Sequence, residues 1–82
     1  MITAFVSMSV TPGSDEEIVK KVIDDPIVSE AWLTTGEFDV LLILVAHDAE
    51  QVNDYVSKNL RELEDIIRIV VTFGLESVRR VS

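Results

Sequence analysis

The 82 residues contain no cysteine. A disulfide framework, a zinc ribbon and a thiol nucleophile are thereby excluded, while the redox compartment stays open. Basic residues are scarce: seven Lys plus Arg stand against fifteen Asp plus Glu, for a net charge of -8. Direct binding of DNA or RNA phosphates needs clustered cations, and Arg79-Arg80 is too short a run to supply them. The same balance disfavours an anionic membrane surface. Histidine occurs once, as His47, with no second ligand at a characteristic spacing, so no metal site is expected. No P-loop, dinucleotide fingerprint, serine elbow or HExxH occurs, and no cofactor is expected. The longest apolar run, 40–46, is far below a membrane span. Met1-Ile2-Thr3 enters a strand pattern without a basic-plus-apolar leader, which reads as a cytoplasmic protein.

What the chain has in excess is apolar residues. It is 48% hydrophobic, with a mean hydropathy of +0.30. A single small domain, 1–82, has much surface for its volume and normally carries more polar side chains. The excess points to a second buried surface, most simply an interface between subunits.

Ile2, Ala4, Val6, Met8 and Val10 alternate with Thr3, Phe5, Ser7 and Ser9, the period of a strand. Thr11-Pro12-Gly13 breaks it. Ser14 with Glu17 predicts a capping box, followed by a helix with the stripe Ile18, Val19, Val22 and Ile23. Pro26 ends that helix, leaving Asp24 and Asp25 solvated or past its last turn. A second strand is predicted over Val28–Thr35 and a third over Phe38–Ala46. Asp48 with Gln51 opens a second capped helix, with Val52, Tyr55, Val56, Leu60 and Leu63 facing inward. Ile66–Phe73 is the fourth strand, and Leu75–Ser82 reads as a short edge strand. The order β-α-β-β-α-β is that of an α+β, ferredoxin-like sandwich: an antiparallel sheet, both helices on one face, the first and third strands central.

The face away from the helices should then be wet, yet the strands do not alternate as a wet sheet does. The third strand carries Val40, Leu42 and Leu44 on one side and Leu41, Ile43 and Val45 on the other. In the fourth, Ile67, Ile69 and Val71 oppose Ile66, Val70 and Thr72. Leaving about five such side chains in water forgoes roughly 1.5–3 kcal/mol each, comparable with a small domain's whole stability of about 5–15 kcal/mol. Sheet-to-sheet packing of two subunits is therefore predicted, with Trp32 as a sheet-face anchor.

The turn Thr34-Thr35-Gly36-Glu37-Phe38-Asp39 admits two readings. In one it is a hairpin loop whose Gly36 supplies a positive φ. In the other, amides around Gly36 take a carboxylate and Asp39 takes an ammonium, which together recognise an amino acid. The acid groups 15–17, 24–25 and 62–65 lack the spacing of a calcium loop and read as solvated helix ends. His47 reads as a neighbour of the second helix cap.

With Ala4-Phe5-Val6, Pro12-Gly13, Pro26-Ile27-Val28, Thr35-Gly36-Glu37-Phe38-Asp39, Leu42, Asp48, Leu60, Leu63 and Ile66 in place, nearly the whole chain resembles the C-terminal effector domain (RAM module) of the Lrp/AsnC, or feast/famine, transcription regulators. The resemblance implies a βαββαβ fold that dimerises through its sheets and assembles further into tetramers or octamer-like rings. It implies an amino-acid effector bound between dimers. Thr35, Gly36 and Asp39 are then the contacts, Thr34, Glu37 and Phe38 line the site, and Thr72 of a neighbouring subunit adds a hydroxyl. Ile69 and Val71 stand where the family often has threonines. Because Met1 starts at the first strand, the expectation is a stand-alone module without the family's helix-turn-helix. It would act on transcription indirectly, alone or mixed with full-length relatives.

Two alternatives belong to other classes. A small enzyme of the dimeric α+β barrel type, such as a monooxygenase, would need a deep pocket between sheet and helices. A purely structural oligomer would need no ligand. The carboxylates, His47 and Tyr55 are the only groups suited to catalysis, and the chain is read as a non-enzyme.

Overall fold

The computed structural model describes residues 1–80. Its elements are β1 (Ile2–Val10), α1 (Asp15–Val22), β2 (Val28–Leu33), β3 (Val40–Ala46), α2 (Ala49–Tyr55) and β4 (Ile66–Phe73). A π-helical turn, Val56–Leu60, continues α2 without a break. The four strands form one antiparallel sheet in the order β2-β3-β1-β4, with β1 and β3 central as expected.

The period of two fixes which residues meet. Ala4, Val6 and Met8 pair with Leu44, Leu42 and Val40, and all are fully buried. They form one core with Ile18 and Val22 of α1 and with Val52, Tyr55, Val56 and Leu60 of the second helical segment. Both helices thus cover the same side of the sheet. At roughly 1.5–3 kcal/mol per buried large side chain, this single layer is the main source of stability.

The opposite parity gives an outer face with no helix on it. Phe5 lies between Ile43 and Thr72, Ser7 between Leu41 and Val70, and Trp32 beside Leu41. Phe5, Leu41, Ile43, Val45 and Val70 are half-buried among themselves, and Trp32 is 55% exposed.

Several boundaries differ from the sequence reading. β2 stops at Leu33 and β3 starts at Val40, so the connection is the whole loop 34–39 rather than a tight turn. In β4 a register shift at Ser9/Val10 pairs Ile66 with Val10. Ile67 is the extra residue of that bulge and stands 67% exposed, so it does not share a face with Ile69 and Val71. Residues 74–80 form no edge strand, and Val81 and Ser82 lie outside the described residues.

The first capping box does not form. Ser14 has φ -96 and ψ -6, a helical rather than extended backbone, and its side chain caps no amide. Its hydroxyl shares a 2.7 Å hydrogen bond with that of Thr11, which donates to Asp65 Oδ1 at 3.0 Å. The pair clips the end of β1 to the loop before β4, and Asp15 Oδ1 accepts the Glu16 amide instead. The second box forms. Asp48 is extended and accepts from the Gln51 amide, and Gln51 Oε1 accepts from the His47 amide. His47 is the cap neighbour that the sequence implied. Asp24 and Asp25 lie beyond α1, as expected, and Leu63 packs on the core from beyond the second helical segment. Among the described residues no helix is long and apolar enough to cross a membrane.

Candidate functional site

The loop 34–39 does more than join β2 to β3. The Thr34 amide donates to Asp39 O at 2.9 Å, and the Thr34 hydroxyl donates to Phe38 O at 2.8 Å, closing the loop at its neck. The Asp39 amide then donates to Met8 O at 2.9 Å. The Asp39 carboxylate accepts the Val10 amide through Oδ2 at 2.9 Å. The carboxylate thereby extends the β1–β3 ladder past the last pair of strand residues, where a backbone carbonyl would otherwise serve.

From there the loop reaches over the end of β1 to the far edge of the sheet. Arg68 of β4 places its guanidinium 5.5 Å from the centre of the Phe38 ring. It also donates to Glu37 Oε1 at 3.1 Å. Both ion-pair partners are exposed, so the pair orients the loop more than it stabilises the fold. Arg68 played no part in the sequence reading. The available signal was a lone cation interrupting the apolar run of β4.

Gly36 sits at the loop tip with φ +111, and a Cβ there would meet nothing within 4 Å. Among the described residues no intrachain hydrogen bond engages the amides of Thr35, Gly36, Glu37 or Phe38, nor Asp39 Oδ1. Successive free amides beside a positive-φ glycine suit an anion, and a free carboxylate oxygen in the same loop suits a cation. Thr34 through Asp39 are therefore brought together. Thr72 is not: it lies on the outer face of β4 opposite Phe5, about 13 Å along the strand from Arg68.

A depression of about 430 Å³ lies between Met1–Phe5 and Gly74–Ser77. Another, of about 360 Å³, lies between the α1–β2 turn and the second helical segment. The latter holds a hydrogen bond of 2.6 Å from the Tyr55 hydroxyl to Asp25 Oδ2. Burial, that bond and the Asp25 charge all push the Tyr55 hydroxyl above the usual tyrosine range. Among the described residues no group of three or more His, Asp or Glu is placed to hold a metal ion.

Sheet order, helix placement and the looped sheet end together define a ferredoxin-like α+β domain. A family model described as the Lrp/AsnC ligand binding domain matches residues 3–81, and the chain belongs to that family. It is similar to an uncharacterised HTH-type transcriptional regulator of Pyrococcus furiosus, with 30% identity over 94% of this chain and 53% of that protein. The chain thus spans about half the length of the curated relatives it matches. A protein from Thermus thermophilus superposes with a TM-score of 0.89 at 25% identity, covering 98% of this chain and all (100%) of that one. A transcriptional regulator from Neisseria meningitidis, solved as its L-Met complex, superposes with a TM-score of 0.85 at 23% identity, over 99% of this chain and 54% of that one.

Proposed function

We propose that this domain is an amino-acid-sensing oligomerisation module that acts in transcription regulation through the state of its assembly. The loop 34–39 takes the effector's carboxylate on the free amides around Gly36 and its ammonium on Asp39 Oδ1. Thr35, Glu37 and Phe38 line the site, and Thr72 of a neighbouring subunit adds a hydroxyl. The observation that carries this reading is the set of unengaged amides at 35–38 beside a half-engaged carboxylate. The methionine complex of the Neisseria regulator supports the ligand class.

The assembly rests on the outer face. Trp32, Leu41, Ile43, Val45, Phe5 and Val70 pack against the same face of a second copy, and such dimers associate into tetramers or octamers at the loops. Full-length Lrp/AsnC regulators are candidate partners through that same face. Direct contact with nucleic acid is no part of the reading, given the net charge of -8.

Thermal unfolding in the presence of each proteinogenic amino acid tests the sensing role. A ligand at a hundred times its Kd stabilises the native state by about 2.7 kcal/mol. A stabilising hit that is lost in Asp39→Asn supports the site, and no hit with any amino acid sinks it. Light scattering reads the number of subunits.

A second reading, a structural oligomer without ligand, is favoured by one observation: the Val10 amide already gives Asp39 a folding role. It predicts the same assembly and no amino-acid shift. The enzyme alternative gains nothing from the geometry, because Met8, Ile18, Leu42, Leu44 and Leu60 fill the space between sheet and helices.

A further inference from the structure

The depression beside Tyr55 lies on the helix side of the sheet, away from the loop 34–39. Its walls are Asp25, Pro26, Ile27, Gln51, Tyr55 and Asn59. Each polar side chain there is held in place. Asp25 is anchored through its backbone, its amide donating to Val22 O at 3.0 Å and its carbonyl accepting the Val28 amide at 2.9 Å. Gln51 is held by both capping bonds, which leave its Nε2 unused. Asn59 donates to Tyr55 O at 3.3 Å. The same stretch is a π turn, in which Arg61 donates to Val56 O, one residue further back than an α-helix allows. Widened turns of this kind recur at functional sites.

The chemistry of the walls is one-sided. Asp25 spends Oδ2 on Tyr55. Among the described residues no hydrogen bond engages its Oδ1, and the only ion pair is that of Arg68 with Glu37. A half-buried carboxylate thus keeps one oxygen free, in a depression whose apolar lining is Pro26 and Ile27. An anion has no donor charge here. A divalent metal has too few acidic ligands. A guanidinium would need both carboxylate oxygens for its fork, whereas an ammonium needs one. An apolar lining suits methylene groups.

We propose that this depression is a second ligand site, for a small alkylammonium ion whose cation sits on Asp25 Oδ1 and whose stem lies on Pro26 and Ile27. The Asn59 carboxamide oxygen adds an acceptor at the rim. The Tyr55 hydroxyl, which burial and Asp25 keep protonated, orients the carboxylate without competing for charge.

The test is an amide-resolved NMR titration of the intact chain with 1,4-diaminobutane, against sodium chloride at matched ionic strength. Saturable shifts are expected at the amides of Asp25, Ile27, Gln51, Tyr55 and Asn59, with the amides of 34–39 unmoved. Asp25→Asn weakens binding by about tenfold or more, as the loss of a charge-assisted contact implies. Unsaturable drift that sodium chloride reproduces overturns the proposal, as does equal binding by Asp25→Asn. If Asp25→Asn loses its fold, Asn59→Ala decides, since that position is exposed and takes no part in the cap of α2. A severalfold loss in it supports the site and unchanged affinity overturns it. Neither result bears on the loop 34–39.

Discussion

Asp39 has two jobs in this scheme, and two substitutions separate them. Asp39→Ala removes the acceptor of the Val10 amide. That amide is part-buried at the end of β1, so it loses a charge-assisted partner without full access to water. The cost expected for such a bond is about 1.5–3 kcal/mol. In a domain of this size each kcal/mol lowers Tm by about 4–8 °C. Asp39→Asn keeps a side-chain oxygen facing Val10 and loses only the charge. A neutral bond remains, so its cost is smaller, about 1–1.5 kcal/mol, the difference between a charged and a neutral acceptor. Ligand binding orders the variants differently. An effector ammonium needs the charge, so both variants lose the amino-acid-induced rise in Tm. The assay is thermal and urea unfolding of the two variants at one fixed protein concentration, because an oligomer's stability depends on it. If Asp39→Ala costs less than about 0.5 kcal/mol, the bond to Val10 is not a latch, since a bond to a charged group is worth more. If Asp39→Asn keeps the full ligand shift, the ammonium does not sit on this carboxylate.

Ile43→Glu places a charge in the centre of the outer face. A two-fold interface meets it twice, for a loss of about 3–6 kcal/mol, or two to four decades in dimer Kd. Light scattering that still shows the parent assembly would refute the sheet-to-sheet arrangement. Gly36→Ala meets open space but inherits φ +111, so a backbone cost of about 1–3 kcal/mol is expected in the urea midpoint; no cost would mean the loop relaxes freely. Tyr55→Phe removes the bond to Asp25. The tyrosine pKa is raised in the folded state, so its contribution is full below the ordinary value of about 10 and fades as pH climbs beyond it. Wild type should therefore lose stability above that pH faster than Tyr55→Phe, and parallel curves would contradict the cause assigned to the shift.

The central strands were legible from the β-α-β-β-α-β order of elements, and the two faces from a period of two that local residues carry. Alternation alone put Ala4, Val6 and Met8 on one face of the first strand and Val40, Leu42 and Leu44 on one face of the third, while the register that pairs them is set by the fold. Ile67 was misplaced because a bulge adds one residue and reverses the parity beyond it. The Ser14 box failed for a related reason. Its hydroxyl had a choice of partners, and Thr11 with Asp65 is a pairing across 54 positions that no local window contains. The six candidate residues of the loop 34–39 could be chosen from sequence, but not what they do. Asp39 shows why. A carboxylate after a glycine turn looks the same whether it awaits a ligand or holds a strand end, and Val10 lies 29 positions away. The fold uses one of its oxygens and leaves the other without an intrachain partner among the described residues. The two readings therefore call on different atoms of one residue. The folding role of Oδ2 favours the ligand-free reading, and the amino-acid shift measured in Asp39→Asn decides whether Oδ1 has a second role.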